Sequence, residues 1–276
     1  MRLFYGIEVI LAYVLYFTGL YGVRRRLLEK RGVRIVLVYH RVLGGKRRWG
    51  EMVGEEALEW QMRRLRKCHH PVDWETIVSP ADSVPGIRVL VTFDDGYRDN
   101  FTRALPILER HQIPAIFFAA TNFIFKRQTI ADGHEESEDD PFPSGRELQR
   151  VKESRYVTFG NHTASHVIVS AAGLGAFEEE LRSSQKEFFD KLNITPKTFA
   201  YPRGREEDIN AEAIPILERF DFRAAFTMIP GFVEARTHRF LMPRIGMSHV
   251  NNKILFKVKM LGFINPLVRL KNLLKL

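Results

Sequence analysis

The chain has 276 residues, of which 45% are hydrophobic and 12% aromatic; this composition supports a packed core and excludes an intrinsically disordered chain. Its single cysteine, Cys68, excludes an internal disulfide and a cysteine-based zinc site, which leaves any metal to histidine and carboxylate ligands. The formal net charge of +9 favours an anionic partner, for which nucleic acid, anionic lipid and a phosphorylated substrate are the candidates.

The first predicted element is the apolar run LFYGIEVILAYVLYFTGLYGV at residues 3–23, whose one charge is Glu8 and which three arginines follow at 24–26. Its 21 residues are enough to span a bilayer, but Glu8 and the tyrosines and glycines equally favour a helix that lies in the interface or re-enters it. We expect no cleavable signal peptide, because no small-residue cleavage site follows. Residues 1–31 are therefore predicted to be membrane-associated, and the basic residues after the run favour the cytoplasmic face.

Residues 32–248 alternate short β-branched runs with helical patterns, which predicts a parallel α/β sheet or a barrel of βα units. A capping signature, Ser144 followed three residues later by Glu147, marks the start of one of the helices. The acidic, turn-rich segment 129–145 is predicted to be a long loop. The candidate strands are 34–40, 87–93, 113–121, 155–160, 197–202, 222–228 and 239–245, and the candidate helices are 55–69, 99–111, 144–154, 175–192 and 209–220.

The final segment, residues 249–276, interleaves lysines and arginines with aliphatic and aromatic residues and has few acids. This pattern predicts a basic amphipathic helix pair on a membrane surface, broken near Pro266. The alternative is a terminal helix that packs on the domain and exposes its lysines. Nucleic acid is disfavoured as a partner, because the sequence has no recognised nucleic-acid-binding motif. Anionic lipid is the expected surface partner.

Four predicted strands end on polar groups: Tyr39-His40-Arg41, Asp94-Asp95-Gly96, Gly160-Asn161-His162 and Tyr201-Pro202-Arg203-Gly204. Active sites in parallel α/β folds gather at the carboxyl ends of the strands, so these groups are predicted to converge on one site.

The segment GNHTASH at 160–166 places His162 and His166 four residues apart, which on a helical turn puts both imidazoles on one side. Together with an aspartate from 94–95 they form an open three-ligand set that suits a catalytic zinc or a similar metal. The second aspartate is then free to take a proton from water. Two histidines and one carboxylate also suit Fe(II), but an extra carboxylate placed as a base favours hydrolysis over oxygen chemistry.

The motifs TFDDG (92–96) and NHTASH (161–166) resemble those of the polysaccharide deacetylase family, carbohydrate esterase family 4, and the resemblance covers roughly residues 34–245. It implies a distorted (β/α) barrel of about seven strands that removes an N-acetyl group, usually from an N-acetylhexosamine. It also implies that Asp94 is the catalytic base and that Asp95, His162 and His166 are the metal ligands. The expected cofactor is one divalent ion, zinc first, with Co²⁺, Fe²⁺ and Ni²⁺ as alternatives.

Three further roles follow from the same resemblance. The segment AYPRG (200–204) matches the family's third motif, in which a backbone N–H, here that of Arg203, holds the oxyanion. That motif usually begins with an arginine that orients the base, and since Ala200 stands there, we expect another cation to replace it: Arg244 first and Arg41 second. The segment VYHRV (38–42) resembles permuted members in which the general acid comes from the first strand, so His40 is the expected acid.

The substrate is less constrained by sequence. If the domain lies on the cytoplasmic face, a lipid-linked or other membrane-associated N-acetylated sugar is the expected substrate, since its phosphate suits the basic chain. The alternatives are a deacetylase of exopolysaccharide on the periplasmic side, and a catalytically inactive barrel that binds glycan or membrane. A mere binding module has no need for a base beside an open metal site, which disfavours the inactive barrel.

Overall fold

The computed structural model describes residues 2–44, 52–79, 85–129, 141–247 and 250–268. A π-helical turn, Asn100–Ala104, leads into one helix, and the 3₁₀ turns Glu206–Asp208 and Ala211–Ala213 precede another. The strands are β1 (Arg34–Tyr39), β2 (Arg41–Leu43), β3 (Met52–Gly54), β4 (His70–Pro71), β5 (Arg88–Phe93), β6 (Ala115–Ala119), β7 (Val157–Asn161), β8 (Thr198–Ala200), β9 (Ala224–Phe226) and β10 (Ile245–Gly246). The helices are α1 (Arg2–Phe17), α2 (Leu20–Arg31), α3 (Glu55–Cys68), α4 (Trp74–Val78), α5 (Leu105–His111), α6 (Thr121–Lys126), α7 (Gly145–Glu153), α8 (Val169–Ala172), α9 (Leu174–Leu192), α10 (Ile214–Arg219) and α11 (Lys253–Met260).

The main sheet is parallel and runs in the order β10-β1-β5-β6-β7-β8-β9, with β4 beside the start of β5. The segment that leads into β10 closes the curled sheet. Met242 bridges Phe226 of β9, and three residues later Ile245 pairs with Leu37 of β1. The prediction of a distorted (β/α) barrel of about seven strands is confirmed.

The strands form here because their side chains are apolar on both faces. All six residues of β1 are buried, and so are all five of β6. Such two-sided burial is typical of a parallel sheet whose faces are covered by side chains and helices. The predicted capping signature also forms: the Ser144 backbone N–H donates to the Glu147 carboxylate at 2.7 Å, and the Glu147 N–H donates to Ser144 Oγ at 3.3 Å.

Each predicted strand overlaps an observed one, but the strand predicted at 239–245 is much shorter. Only Ile245–Gly246 and the single bridge at Met242 pair with neighbours. Pro243 has no N–H to donate to a ladder, which interrupts the strand between these two points. Most of the long loop predicted at 129–145 lies outside the described residues, which resume at 141.

The apolar run at the start of the chain forms two helices rather than one. α1 ends at Phe17, Gly19 adopts a left-handed conformation with φ of 80°, and α2 follows at an angle of 80°. Among the described residues no single helix has both the length and the apolar composition to cross a membrane, although the bent pair Phe4–Phe17 and Leu20–Arg31 meets that test jointly.

The helix predicted for a membrane surface near the end of the chain packs on the domain over its described part. Leu255, Phe256, Val258 and Met260 of α11 are buried, and α11 contacts α1 directly. Lys259 Nζ lies 3.5 Å from Glu8 Oε2, and both side chains are less than a tenth exposed. Glu8, the one charge of the apolar run, thus joins the two terminal helices. Residues 269–276 lie outside the described part of the chain.

Candidate active site

The carboxyl ends of neighbouring strands bring the polar groups predicted from sequence to one edge of the sheet. His40 follows β1, Asp94 and Asp95 follow β5, His162 follows β7, and Tyr201 follows β8. β1 and β5 are adjacent and β7 pairs with β8, with β6 between the two pairs. The site is therefore built by the barrel itself, from side chains that are far apart in sequence.

Asp95, His162 and His166 form a compact set of metal-ligand atoms. Asp95 Oδ1 lies 3.5 Å from Nε2 of His162 and 3.5 Å from Nε2 of His166. One donor atom from each residue falls within 4.8 Å of the others, and Asp95 and His162 are buried. Two imidazoles and one carboxylate that converge in this way fit a divalent cation with an open coordination position, as in catalytic zinc sites.

Hydrogen bonds and pKa shifts favour the protonation states in which these three side chains can bind a metal ion. His162 Nδ1 lies 2.8 Å from the carbonyl oxygen of Ala200, so Nδ1 carries the proton and Nε2 presents its lone pair towards Asp95. Burial and the neighbouring His162 lower the pKa of His166 to about 4, which leaves that imidazole neutral at neutral pH. Burial alone would raise the pKa of Asp95, but the neighbouring imidazoles of His162, His40 and His166 hold it below the ordinary value.

The two histidines do not lie on a helical turn, so that expectation is wrong. The described residues between β7 and α8 form bends, with left-handed backbone at Thr163 (φ 65°) and His166 (φ 61°). Side chains hold this loop in place of helical hydrogen bonds. Asn161 Oδ1 accepts from the Thr163 N–H at 2.8 Å, and the Glu180 carboxylate accepts from the N–H of Ala164 at 2.9 Å and of Ser165 at 2.7 Å.

Asp94 is held by Arg244, the first of the two cations expected from sequence. The guanidinium makes two parallel bonds to the carboxylate, from Nη1 to Oδ1 and from Nη2 to Oδ2, each 2.7 Å long. Arg244 Nε also donates to the carbonyl of Thr227 at 2.8 Å, which fixes the guanidinium plane. The bidentate geometry occupies one lone pair of each Asp94 oxygen and leaves the others to accept a proton.

The second candidate cation, Arg41, does not contact Asp94. Its Nε donates to Asp99 at 2.9 Å, and its guanidinium carbon lies 4.6 Å from the centre of the Tyr97 ring. Arg41 therefore belongs to a buried ion pair with Asp99.

His40, the expected general acid, lies between β1 and β2 and is half-buried. Its carbonyl accepts from Asn100 Nδ2 at 2.7 Å, and the Asp99 carboxylate accepts from the Val42 N–H at 2.9 Å. These two bonds fix the backbone on both sides of Arg41. The imidazole is close enough to Asp95 to contribute to the low pKa of that carboxyl.

Arg203 follows β8 in the segment whose Ala200 carbonyl binds His162. It has left-handed backbone with φ of 57°, and the next residue, Gly204, donates its N–H to the Pro202 carbonyl at 2.7 Å. The side chain of Arg203 is exposed.

Among the described residues, four of the eight non-glycine residues with left-handed backbone lie at this site. Asp95 (φ 77°) belongs to the group, together with Thr163, His166 and Arg203. Such conformations are costly for residues with a Cβ and persist where surrounding contacts enforce them, often at functional sites. The turn after Asp95 requires Gly96, because a Cβ there would lie 2.7 Å from Ile124 Cγ2 and 2.9 Å from Ala119 Cβ.

Four supporting residues were not among those predicted from sequence to bind the metal or to catalyse the reaction: Asn161, Glu180, Asp99 and Asn100. Three of them adjoin the aspartate and histidine motifs in sequence: Asn161, Asp99 and Asn100. Their short distance along the chain from these motifs was the signal that could have identified them. Glu180 had none, because it comes from α9 and reaches the histidine loop only through the tertiary fold.

The comparisons with known proteins agree with this geometry. The family model described as polysaccharide deacetylase matches residues 81–225, just over half of the chain. YxkH of Bacillus subtilis (strain 168), named for the same activity, is 22% identical over 222 residues, which cover 80% of this chain and 73% of that protein. The poly-beta-1,6-N-acetyl-D-glucosamine N-deacetylase of Escherichia coli (strain K12) is 26% identical over 184 residues, which cover 55% of this chain.

The likeness extends to solved structures. The structure of IcaB from Ammonifex degensii superposes with a TM-score of 0.60 at 22% identity, covering 77% of this chain and 91% of that one. This similarity shows the shared fold.

The matched region is only 26% of the length of the Escherichia coli enzyme. On the match to the family model, the chain belongs to the polysaccharide deacetylase family, whose enzymes hydrolyse the amide bond of N-acetylated carbohydrates.

Proposed function

We propose that this chain is a metal-dependent N-deacetylase that removes the acetyl group from an amino sugar. One observation carries the proposal. Asp94, which an arginine holds through two parallel hydrogen bonds, is followed directly in the sequence by Asp95, whose carboxylate converges with two imidazoles. A base fixed next to a metal-ligand set is the arrangement that amide hydrolysis needs, since water must be deprotonated as it attacks the carbonyl.

Asp95, His162 and His166 would hold the metal ion, and zinc is the first choice because two imidazoles and a carboxylate suit it. When bound, such a cation polarises the amide carbonyl and acidifies water. The fit of Asp95, His162 and His166 to a metal ion rests on three ligand atoms within 4.8 Å of one another. It also rests on the Ala200 carbonyl, which orients the His162 ring so that Nε2 faces the other two ligands.

The residues around the metal ligands divide the rest of the reaction. Asp94, oriented by Arg244, accepts the proton of the attacking water through a lone pair that the arginine leaves unused. The backbone N–H of Arg203 donates to the oxyanion that forms when the carbonyl is attacked. His40 donates a proton to the amine nitrogen as the bond to the acetyl carbon breaks. The products are acetate and a free amino sugar.

For the substrate, we propose a membrane-associated or lipid-linked glycan handled on the cytoplasmic face of the membrane. The support is the apolar helix pair α1 and α2 and the basic residues that follow the apolar run. An N-acetylated exopolysaccharide on the periplasmic side is the second candidate, favoured by relatives named as poly-beta-1,6-N-acetyl-D-glucosamine N-deacetylases.

The test is acetate release by the full chain loaded with Zn²⁺, Co²⁺, Fe²⁺ or Ni²⁺. The substrates are N-acetylated β-1,6-glucosamine oligomers and an N-acetylated sugar linked to a lipid phosphate. Release that stops on chelation and returns with metal supports the enzyme class, and a preference for one substrate decides between the two candidates. Topology reporters fused after residue 31 and at residue 276 would report the membrane side. No release from either substrate class in any metal form would refute the proposal.

A further inference from the structure

The exposed apolar side chains of this protein are concentrated on its first two helices. Among the described residues, eight of the nine exposed large hydrophobic side chains belong to α1 or α2, and the ninth is Phe189 on α9. The eight form what we call the N-terminal surface: Ile7, Ile10, Tyr13, Val14 and Phe17 of α1, and Leu20, Val23 and Leu27 of α2. Exposed hydrophobic side chains that are scattered singly need no explanation, but a group of them on neighbouring elements marks an interaction site.

The spacing makes this set one face of each helix. Ile7, Ile10, Val14 and Phe17 recur every three or four residues, and so do Leu20, Val23 and Leu27. Ile10 is 68% exposed and Phe17 is 74% exposed, values far above those of side chains that a neighbouring element covers.

The opposite face of α1 is fixed to the barrel. Glu8 pairs with Lys259 of α11, the Tyr16 hydroxyl accepts from Lys257 Nζ at 3.1 Å, and Ala12 is fully buried. α2 is tied down in the same way, because Arg24 Nε donates to the carbonyl of Leu261 at 2.6 Å. The helices therefore present the N-terminal surface outward from a firm base, and only this side is available to a partner.

Basic residues flank the apolar side chains. Arg26, Lys30 and Arg31 are exposed on α2 beside Val23 and Leu27. The two acidic residues of the first 31, Glu8 and Glu29, are engaged by Lys259 and Arg25. The outward side is thus apolar and cationic. Arg31 also lies 4.0 Å from the exposed Glu234, a separation at which a solvated pair contributes little.

We propose that the N-terminal surface docks the protein on an anionic lipid bilayer. The eight apolar side chains enter the interfacial layer, and Arg26, Lys30 and Arg31 meet the lipid phosphates. Two helices that meet at 80° define a plane, so both can rest on one flat surface. A second copy of the chain fits less well, because a two-fold interface would bring the same cationic groups of both copies together.

This docking does not depend on the chemistry of the site, since no ligand or catalytic candidate lies on α1 or α2. It would hold the barrel at the height of lipid headgroups, where the reducing end of a lipid-linked sugar is found.

The test is co-flotation of the full chain with vesicles of phosphatidylcholine alone, and with vesicles in which about a third of the lipid is phosphatidylglycerol. The wild type is expected to float with the anionic vesicles and to bind them less at high salt. The variant V14S/F17S should bind about tenfold less or weaker still. The variant R26Q/K30Q/R31Q should lose about a hundredfold in affinity for anionic vesicles, at about fivefold for each charge.

Two control variants carry matched changes elsewhere. F189S removes the exposed aromatic side chain of α9, and R146Q/K152Q/R155Q removes three exposed charges on and after α7. Both should float like the wild type. All variants change exposed side chains, so melting temperatures should match that of the wild type and acetate release from a soluble oligomer should be retained.

The proposal fails if the wild type does not float with anionic vesicles, or if both N-terminal variants float as well as it does. It also fails if the wild type binds no vesicles but forms a concentration-dependent dimer that V14S/F17S abolishes. The partner of the N-terminal surface is then a second copy of the chain. Equal binding to neutral and anionic vesicles would overturn the role of the three basic residues. Acetate release is measured separately, so failure to dock and failure to hydrolyse are distinguishable.

Discussion

Replacing Arg244 by methionine should damage both the stability and the turnover of this protein. The side chain is fully buried and makes the two 2.7 Å bonds to Asp94, so R244M leaves a buried carboxylate without its counter-charge. The variant keeps a long apolar side chain in a similar volume, which limits the contribution of a cavity to the result.

The magnitude follows from the geometry. Hydrogen bonds to charged groups contribute about 1.5–3 kcal/mol each, and removing one partner of a buried ion pair costs about 3–5 kcal/mol. We therefore expect a loss of about 3–5 kcal/mol in the free energy of unfolding. Turnover should fall by about a hundredfold, because the base is no longer held in line with the attacking water.

The assays are urea unfolding and acetate release, with kcat and KM determined separately. A positioning role predicts a lower kcat with little change in KM. R239M is the matched control, because Arg239 pairs with Glu218 at 3.0 Å with both side chains about half exposed, and it should cost less than about 1 kcal/mol. A double-mutant cycle with D94N isolates the pair and should give a coupling energy of about 2 kcal/mol or more.

An R244M variant that releases acetate at the wild-type rate would contradict a positioning role for Arg244. A cycle with D94N that is additive to within about 0.5 kcal/mol would also contradict it, since the contact at 2.7 Å between Arg244 and Asp94 would then carry no coupling energy.

Three further predictions concern the supports of the site and the core. E180A should weaken metal affinity about tenfold to a hundredfold, because the histidine loop loses the acceptor of two backbone N–H groups. D99A should destabilise the fold by about 3–5 kcal/mol, since Arg41 is 3% exposed and loses the carboxylate that pairs with it at 2.9 Å. Burial, with the nearby Arg25, Arg64 and His70, lowers the pKa of His69 to about 4. The unfolded chain then binds a proton on this residue that the native state does not, so the free energy of unfolding should fall as the pH drops from about 6.5 to about 4, and less so in H69Q.

Each of these has its own measurement and its own contrary result. Isothermal titration with Zn²⁺ tests E180A against E179A, an exposed neighbour that should bind metal like the wild type, and equal affinities of E180A and the wild type would contradict the role of the loop. Urea unfolding tests D99A. A loss of less than about 1 kcal/mol in the free energy of unfolding would mean that the Arg41–Asp99 pair contributes no more than a solvated ion pair. Unfolding midpoints across the pH range test His69, and identical slopes for H69Q and the wild type would exclude it as the source.

Much of the fold could be predicted from the sequence because the strands are buried on both faces. Continuous apolar runs such as IVLVY after Arg34 have few structural alternatives, and each of the predicted strands has a counterpart. The exception at 239–245 depends on Pro243, whose missing N–H shortens the last strand. The break of the first apolar run was not predicted, although Gly19 is the residue that permits the left-handed turn between α1 and α2.

The candidate site divides in the same way. Residues within one motif, such as Asp94 with Asp95, could be identified because their spacing in sequence is short. Arg244 was inferred only because Ala200 stands where the family's third motif usually has an arginine. Its guanidinium contacts Asp94, which lies 150 positions earlier in the sequence. The geometry of the histidine loop could not be derived from a four-residue spacing, because Asn161 and Glu180 impose bends where a helical turn was expected.

The most direct test of the account is the metal content of three purified forms of the full chain after incubation with Zn²⁺ and removal of free ion. The wild type and D94N should each retain about one ion per chain, because Asp94 is the base and not a ligand, whereas H162A should retain none. Acetate release should be present in the wild type alone. A wild type that takes up no divalent ion, or an H162A variant that holds zinc as the wild type does, would contradict the assignment of Asp95, His162 and His166 as the metal site.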